Sequence, residues 1–91
     1  MTGIAIIGTG MWAPRLAGAA ERASLEVVTC FSRDEGRRGE FAERFGCEPA
    51  VSLEEAIEHP GVEGVVLATP NDVHEEQALA CAERGRHVFV E

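Results

Sequence analysis

An apolar run that breaks at glycine and resumes as a helix constrains this chain more than any other feature. Residues 4–13 read Ile-Ala-Ile-Ile-Gly-Thr-Gly-Met-Trp-Ala, and small residues then recur at helical spacing at Ala13, Ala17 and Ala20. That pattern is a strand, a tight turn and a helix. Gly8 and Gly10 let the backbone turn sharply and come close to a diphosphate, and the helix start beyond them offers free N–H groups and the positive end of a dipole. With Ala13 in the third small position, the stretch fits the dinucleotide-binding pattern G-x-G-x-x-G/A. Its value lies in its position: it ends the first strand, opens the first helix and precedes a second strand by about 20 residues, as the pattern requires.

The rest of the chain alternates in the same way. Gly3–Ile7 is expected as strand 1, apolar on both faces. A helix from about Met11 to Arg22 follows, with Pro14 in its first turn, where a missing N–H costs little. Leu25–Phe31 reads as strand 2. Asp34 caps a helix from about Glu35 to Phe45, with Phe41, Ala42 and Phe45 on one face, and Gly46 closes it. Pro49–Val51 reads as a short strand 3. Ser52 and Glu55 form a capping box for a helix reaching about Glu58. Gly64–Ala68 is strand 4, Asn71 or Asp72 caps a helix to about Arg84, Gly85 stops it, and His87–Val90 is strand 5. The expected fold class is α/β: a doubly wound parallel sheet of Rossmann type, in order 3-2-1-4-5, with its ligand crevice at the carboxyl ends of strands 1 and 4.

Composition narrows the partners. The 91 residues carry a net charge of −8, which disfavours a nucleic-acid or anionic-membrane surface. All 8 basic residues are Arg, so no catalytic lysine comes from this stretch. Cys30, Cys47 and Cys81 have neither disulfide nor zinc spacing. They are expected as buried reduced thiols in a cytoplasmic protein. The acidic clusters Glu54-Glu55-Glu58 and Glu75-Glu76 read as solvated helix faces, and no metal site is expected.

A second stretch carries a resemblance. Ala68-Thr69-Pro70-Asn71 with His74, then Gly85, His87-Val88 and Glu91, together with the Gly8–Ala13 turn, Ser32-Arg33-Asp34 and Ser52-Leu53-Glu54-Glu55, resembles the N-terminal nucleotide-binding domain of the glucose-fructose oxidoreductase / inositol dehydrogenase (Gfo/Idh/MocA) family. Arg86 stands where that family commonly has Lys, read here as a surface change of little consequence. The resemblance implies an NAD(P)-binding domain cut from a longer two-domain oxidoreductase, truncated before the last strand of its sheet. It implies hydride transfer between nicotinamide and a sugar, cyclitol or similar polyol, and oligomerisation through a C-terminal domain. The motif lysine would follow Glu91, so these 91 residues are expected to bind nucleotide without turning over substrate. A non-catalytic nucleotide sensor is the alternative, and a module for coenzyme A or another mononucleotide a third reading.

The expected cofactor-binding residues are Gly8, Thr9, Gly10, Met11, Trp12, Ser32, Arg33, Arg37, Ala68, Thr69, Pro70, Asn71, His74 and Glu91. Thr69–Asn71 would pass beside the nicotinamide and its ribose. Trp12 either walls that pocket or packs against another domain. His74 is either structural or substrate-facing, His87 beside strand 5 is read as structural, and His59, before a Pro-Gly turn, is expected to be solvated. NADP is expected over NAD. Ser32 ends strand 2 where NAD-selective members of this fold carry an acid, and Arg33, Arg37 and Arg38 follow it. Arg37 and Arg38 could instead pair with Glu40 or Glu43.

Overall fold

The computed structural model describes residues 2–10 and 12–90, with only the backbone at Asn71. Five strands form one parallel sheet in the order β3-β2-β1-β4-β5. They are β1 (Thr2–Ile7), β2 (Leu25–Phe31), β3 (Glu48–Pro49), β4 (Gly64–Leu67) and β5 (His87–Val90). Helices α1 (Ala13–Arg22), α2 (Glu35–Phe45), α3 (Leu53–Glu58) and α4 (His74–Glu83) connect them. The expected order, the parallel pairing and the position of β1 at the centre are all observed. One irregularity between Ile4 and Ala5 passes over Val28 in the β1–β2 register.

Burial follows the two-residue period of the central strand. Ile4 and Ile6 point to one face, where Ala13, Ala17 and Ala20 of α1 and Phe41 and Ala42 of α2 cover them. Ala5 and Ile7 point to the other, against Ala56 and Ile57 of α3 and Cys81 of α4. Burying each isoleucine contributes roughly 1.5–3 kcal/mol. The small side chains on α1 let that helix lie close to the sheet, which brings its N-terminus up to the end of β1. Gly3 serves packing as well: a Cβ there would lie 1.9 Å from the Gly61 carbonyl oxygen.

The helix ends obey their caps where the caps are short and polar. The Asp34 carboxylate accepts from Arg37 N–H at 3.0 Å, and Ser52 Oγ accepts from Glu55 N–H at 3.0 Å. Gly46 and Gly85 close their helices at φ 65° and 68°.

Five expectations need correction. Strand 3 is Glu48–Pro49 rather than Pro49–Val51, because β3 pairs with β2 only through Glu48 and Pro49, after which Ala50 N–H reaches back to the Cys30 carbonyl. The fourth helix opens through a 3₁₀ turn at Asn71–Val73, and Val73, not an Asx side chain, occupies its cap without a side-chain hydrogen bond. His59 is not free in solvent: Nδ1 accepts from Gly61 N–H at 3.0 Å and Nε2 donates to Glu48 at 3.1 Å. Cys47 is only half-buried, unlike Cys30 and Cys81. Arg86 is not a passive surface residue. Its Nε donates to the Ile57 carbonyl at 2.8 Å and its second amino group to the His59 carbonyl at 3.4 Å, tying the entry of β5 to the end of α3.

Candidate functional site

The order of the sheet reverses between β1 and β4, and a cleft of about 430 Å³ opens at the carboxyl ends of those strands and β2. Backbone hydrogen bonds hold the three strand ends together: Gly8 N–H donates to Phe31 O at 2.7 Å, and Ala68 N–H to Ile7 O at 2.8 Å. The floor is therefore rigid at the point where the chain turns from β1 into α1.

Gly8 turns at φ 94°, and a Cβ there would lie 2.7 Å from the Ala68 carbonyl oxygen. Its lack of a side chain is a requirement of the fold. Gly10 differs. A Cβ built on it meets nothing within 4 Å among the described residues, and Gly10 lines the cleft. Among the described residues the fold leaves room for a side chain at this place. The N-terminus of α1 bears no side-chain cap; of its first residues, Ala13 donates its N–H to the Gly10 carbonyl at 3.2 Å and Pro14 has no N–H.

On the β2 side, the Thr9 hydroxyl donates to Ser32 Oγ at 2.9 Å, and Ser32 Oγ donates to the Asp34 carbonyl at 3.1 Å. Arg33 and Arg37 line the cleft beside them. Neither forms an ion pair among the described residues. Arg38 does not join them: it donates to the Ser32 carbonyl at 3.2 Å and lies over the Phe31 ring at 5.7 Å, which braces the turn from behind. The expected alternative pairing of Arg37 or Arg38 with Glu40 or Glu43 is not observed.

On the β4 side, Ala68, Thr69 and Pro70 line the cleft, joined by Asp72, Val73 and Gln77. The Thr69 hydroxyl donates to Gln77 Oε1. Of the residues expected at the site, Gly8, Thr9, Gly10, Ser32, Arg33, Arg37, Ala68, Thr69 and Pro70 meet here. Met11, Glu91 and the Asn71 side chain lie outside the described residues. Trp12 stands apart from the cleft, 52% exposed, with the Arg15 guanidinium 5.1 Å above its ring. His74 is half-buried and does not line the cleft, and its Nε2 is enclosed without a partner among the described residues. Gln77 and the cleft-facing position of Asp34 were not foreseen as site features. A glutamine one turn into a helix belongs to no motif, and Asp34 reads in the sequence as a cap and as part of the Ser32-Arg33-Asp34 stretch.

The thiols lie away from this chemistry. The neighbouring Cys47 thiol, followed by burial, pushes the Cys30 thiol up, and the neighbouring Cys30 lowers that of Cys47; the Cys30 thiol donates to the Arg38 carbonyl at 3.7 Å. Burial alone raises Cys81. Among the described residues no helix is long and apolar enough to cross a membrane.

A family profile described as "Oxidoreductase family, NAD-binding Rossmann fold" matches residues 2–91. The chain is 36% identical over 90 residues to 4-carboxy-2-hydroxymuconate-6-semialdehyde dehydrogenase of Sphingobium, covering 97% of this chain and 29% of that protein. It is 36% identical over 93 residues to the scyllo-inositol 2-dehydrogenase (NADP(+)) IolU of Bacillus subtilis, covering 100% and 28%. The crystal structure of the WlbA dehydrogenase of Chromobacterium violaceum, in complex with NADH and UDP-GlcNAcA, superposes with a TM-score of 0.90 at 28% identity, over 97% of this chain and 26% of that one. The chain thus spans less than a third of the length of each of these relatives.

Proposed function

The chain belongs to the Gfo/Idh/MocA oxidoreductase family, whose NAD-binding Rossmann fold matches residues 2–91, and from that premise we propose that the cleft at the ends of β1, β2 and β4 is its dinucleotide site. The observation that carries the proposal is Gly10, a glycine that faces open cleft and that the fold itself does not require. The diphosphate lies against Gly8, Thr9, Gly10 and Met11, where the positive end of the α1 dipole supplies a favourable field.

The adenosine half lies toward β2, and we propose NADP over NAD. Ser32 carries no charge to repel a 2′-phosphate. The Asp34 carboxylate is engaged by Arg37 N–H, and Arg33 and Arg37 line the cleft without carboxylate partners among the described residues. A guanidinium binds phosphate through two parallel hydrogen bonds. Relatives of this fold are named with either cofactor, so the preference rests on these side chains. The nicotinamide half lies toward Ala68, Thr69, Pro70 and Asn71, with Glu91 as a further contact.

When bound, the nicotinamide supplies the hydride chemistry. The residues of this chain orient it: the glycine turn fixes the diphosphate, the arginines fix one end, and the Thr69–Pro70 wall limits the other. We propose that residues 1–91 are the dinucleotide-binding domain of a longer cytoplasmic oxidoreductase acting on a polyol such as an inositol. The free thiols suit a reducing compartment, and the relatives' greater length and the name of the inositol dehydrogenase support the rest. The proton donor for the substrate oxygen then comes from outside these residues, because His74 does not line the cleft.

Calorimetric titration of the chain with NADP and with NAD tests the reading. Binding of NADP tighter than NAD is expected. Absence of binding by both overturns the site, and equal or tighter NAD binding overturns the preference.

A further inference from the structure

The two ends of the cleft differ in chemistry. The β2 end carries two guanidinium groups, whereas the β4 end is built from Ala68, Thr69, Pro70, Asp72 and Val73, with Gln77 contributing a carboxamide. A side-chain carboxamide offers two N–H donors and an acceptor oxygen. The oxygen of Gln77 is already engaged, because the Thr69 hydroxyl donates to it. That bond spans the end of β4 and the first turns of α4 and fixes the plane of the amide. Its Nε2 makes no hydrogen bond among the described residues, so two donors remain on a wall that it shares with Thr69, Asp72 and apolar side chains.

We propose that Gln77 is a cofactor-contacting residue, donating through Nε2 to an oxygen of the nicotinamide-ribose half of the dinucleotide. The proposal rests on the reading of this cleft as a dinucleotide site. If the diphosphate lies at Gly8–Gly10 and the 2′-phosphate at Arg33 and Arg37, the nicotinamide nucleotide must extend toward β4, where Gln77 stands. Thr69 acts as a positioning residue, since its hydroxyl holds the Gln77 carbonyl oxygen and so fixes an amide that lines the cleft. A fixed amide loses less conformational freedom on binding than a mobile one.

The test pairs two ligands with three proteins. NADP carries both halves of the dinucleotide, and 2′,5′-ADP carries only the adenosine end. Wild type, Gln77→Ala and Gln77→Glu are titrated with each by calorimetry, and the fold of each is checked by thermal unfolding. Gln77→Glu keeps an acceptor for the Thr69 hydroxyl while replacing the donors with a carboxylate, so it retains the local structure if Gln77→Ala does not. Loss of one hydrogen bond weakens binding about two- to tenfold. NADP is expected to bind that much more weakly to Gln77→Ala and more weakly still to Gln77→Glu, with 2′,5′-ADP unchanged in both. Equal weakening of both ligands, or no weakening of NADP in folded Gln77→Glu, overturns the proposal while leaving the site itself intact. Failure of wild type to bind either ligand overturns the site and this proposal together.

Discussion

The Thr9 hydroxyl donates to the Ser32 hydroxyl at 2.9 Å, so the turn leaving β1 and the turn leaving β2 are joined across the cleft floor. Ser32 then donates to the Asp34 carbonyl, which leaves it no proton to offer a ligand. Its part at the β2 end is to be small and uncharged. Ser32→Asp is therefore expected to invert the cofactor preference, because a carboxylate there repels a 2′-phosphate and pairs with ribose hydroxyls. Parallel titrations with NADP and NAD check this; an unchanged preference would place the 2′-phosphate elsewhere.

Arg33 and Arg37 face the same cleft, and each charged hydrogen bond to phosphate is worth roughly 1.5–3 kcal/mol. Arg33→Ala is expected to weaken NADP binding about tenfold or more while leaving NAD within about twofold. Arg38→Ala, which removes the brace on the Ser32 carbonyl, is expected to weaken both cofactors alike. The ratio of the two dissociation constants separates the roles.

Gly8→Ala is a test of the fold. Alanine at φ 94° is strained, and its Cβ would lie 2.7 Å from the Ala68 carbonyl oxygen. The backbone alone costs about 1–3 kcal/mol, and each kcal/mol lowers the melting temperature of a domain this size by about 4–8 °C. Thermal unfolding should show a loss of that order. Retention of the wild-type melting temperature would mean that the Gly8 turn can relax away from Ala68.

Cys47 should be the reactive thiol. The neighbouring Cys30 thiol lowers the pKa of Cys47, whereas Cys30 and Cys81 are raised and buried. A lowered pKa makes the thiolate available at lower pH. Alkylation with iodoacetamide, followed by peptide mass analysis, should label Cys47 first, with a rate that rises through a midpoint below that of an ordinary thiol. Cys30→Ala should move that midpoint up. Simultaneous labelling of all three would contradict the assignment.

The strand and helix pattern, the caps at Asp34 and Ser52, and the glycine turn were legible because each depends on local chemistry: a period, a short polar side chain, a residue without Cβ; the sheet order followed from the alternation of strands and helices, which admits few topologies. The misread features depend on partners distant in sequence. Arg86 looked idle because Ile57 and His59, whose carbonyls it binds, precede it by more than 25 residues. His59 looked solvated for the same reason, since Glu48 reaches it from β3. Strand 3 was displaced because its register is set by β2 and not by its own composition. Gln77 was missed because only the fold brings it to Thr69.

The account turns most directly on Gly10, whose Cβ position is open cleft. The deciding measurement is a calorimetric titration of NADP into Gly10→Ala beside wild type, on protein whose thermal unfolding matches. The account predicts an unchanged melting temperature and NADP binding weakened by about tenfold or more, since the added methyl occupies the place where a diphosphate meets the backbone. Wild-type affinity in folded Gly10→Ala would contradict it.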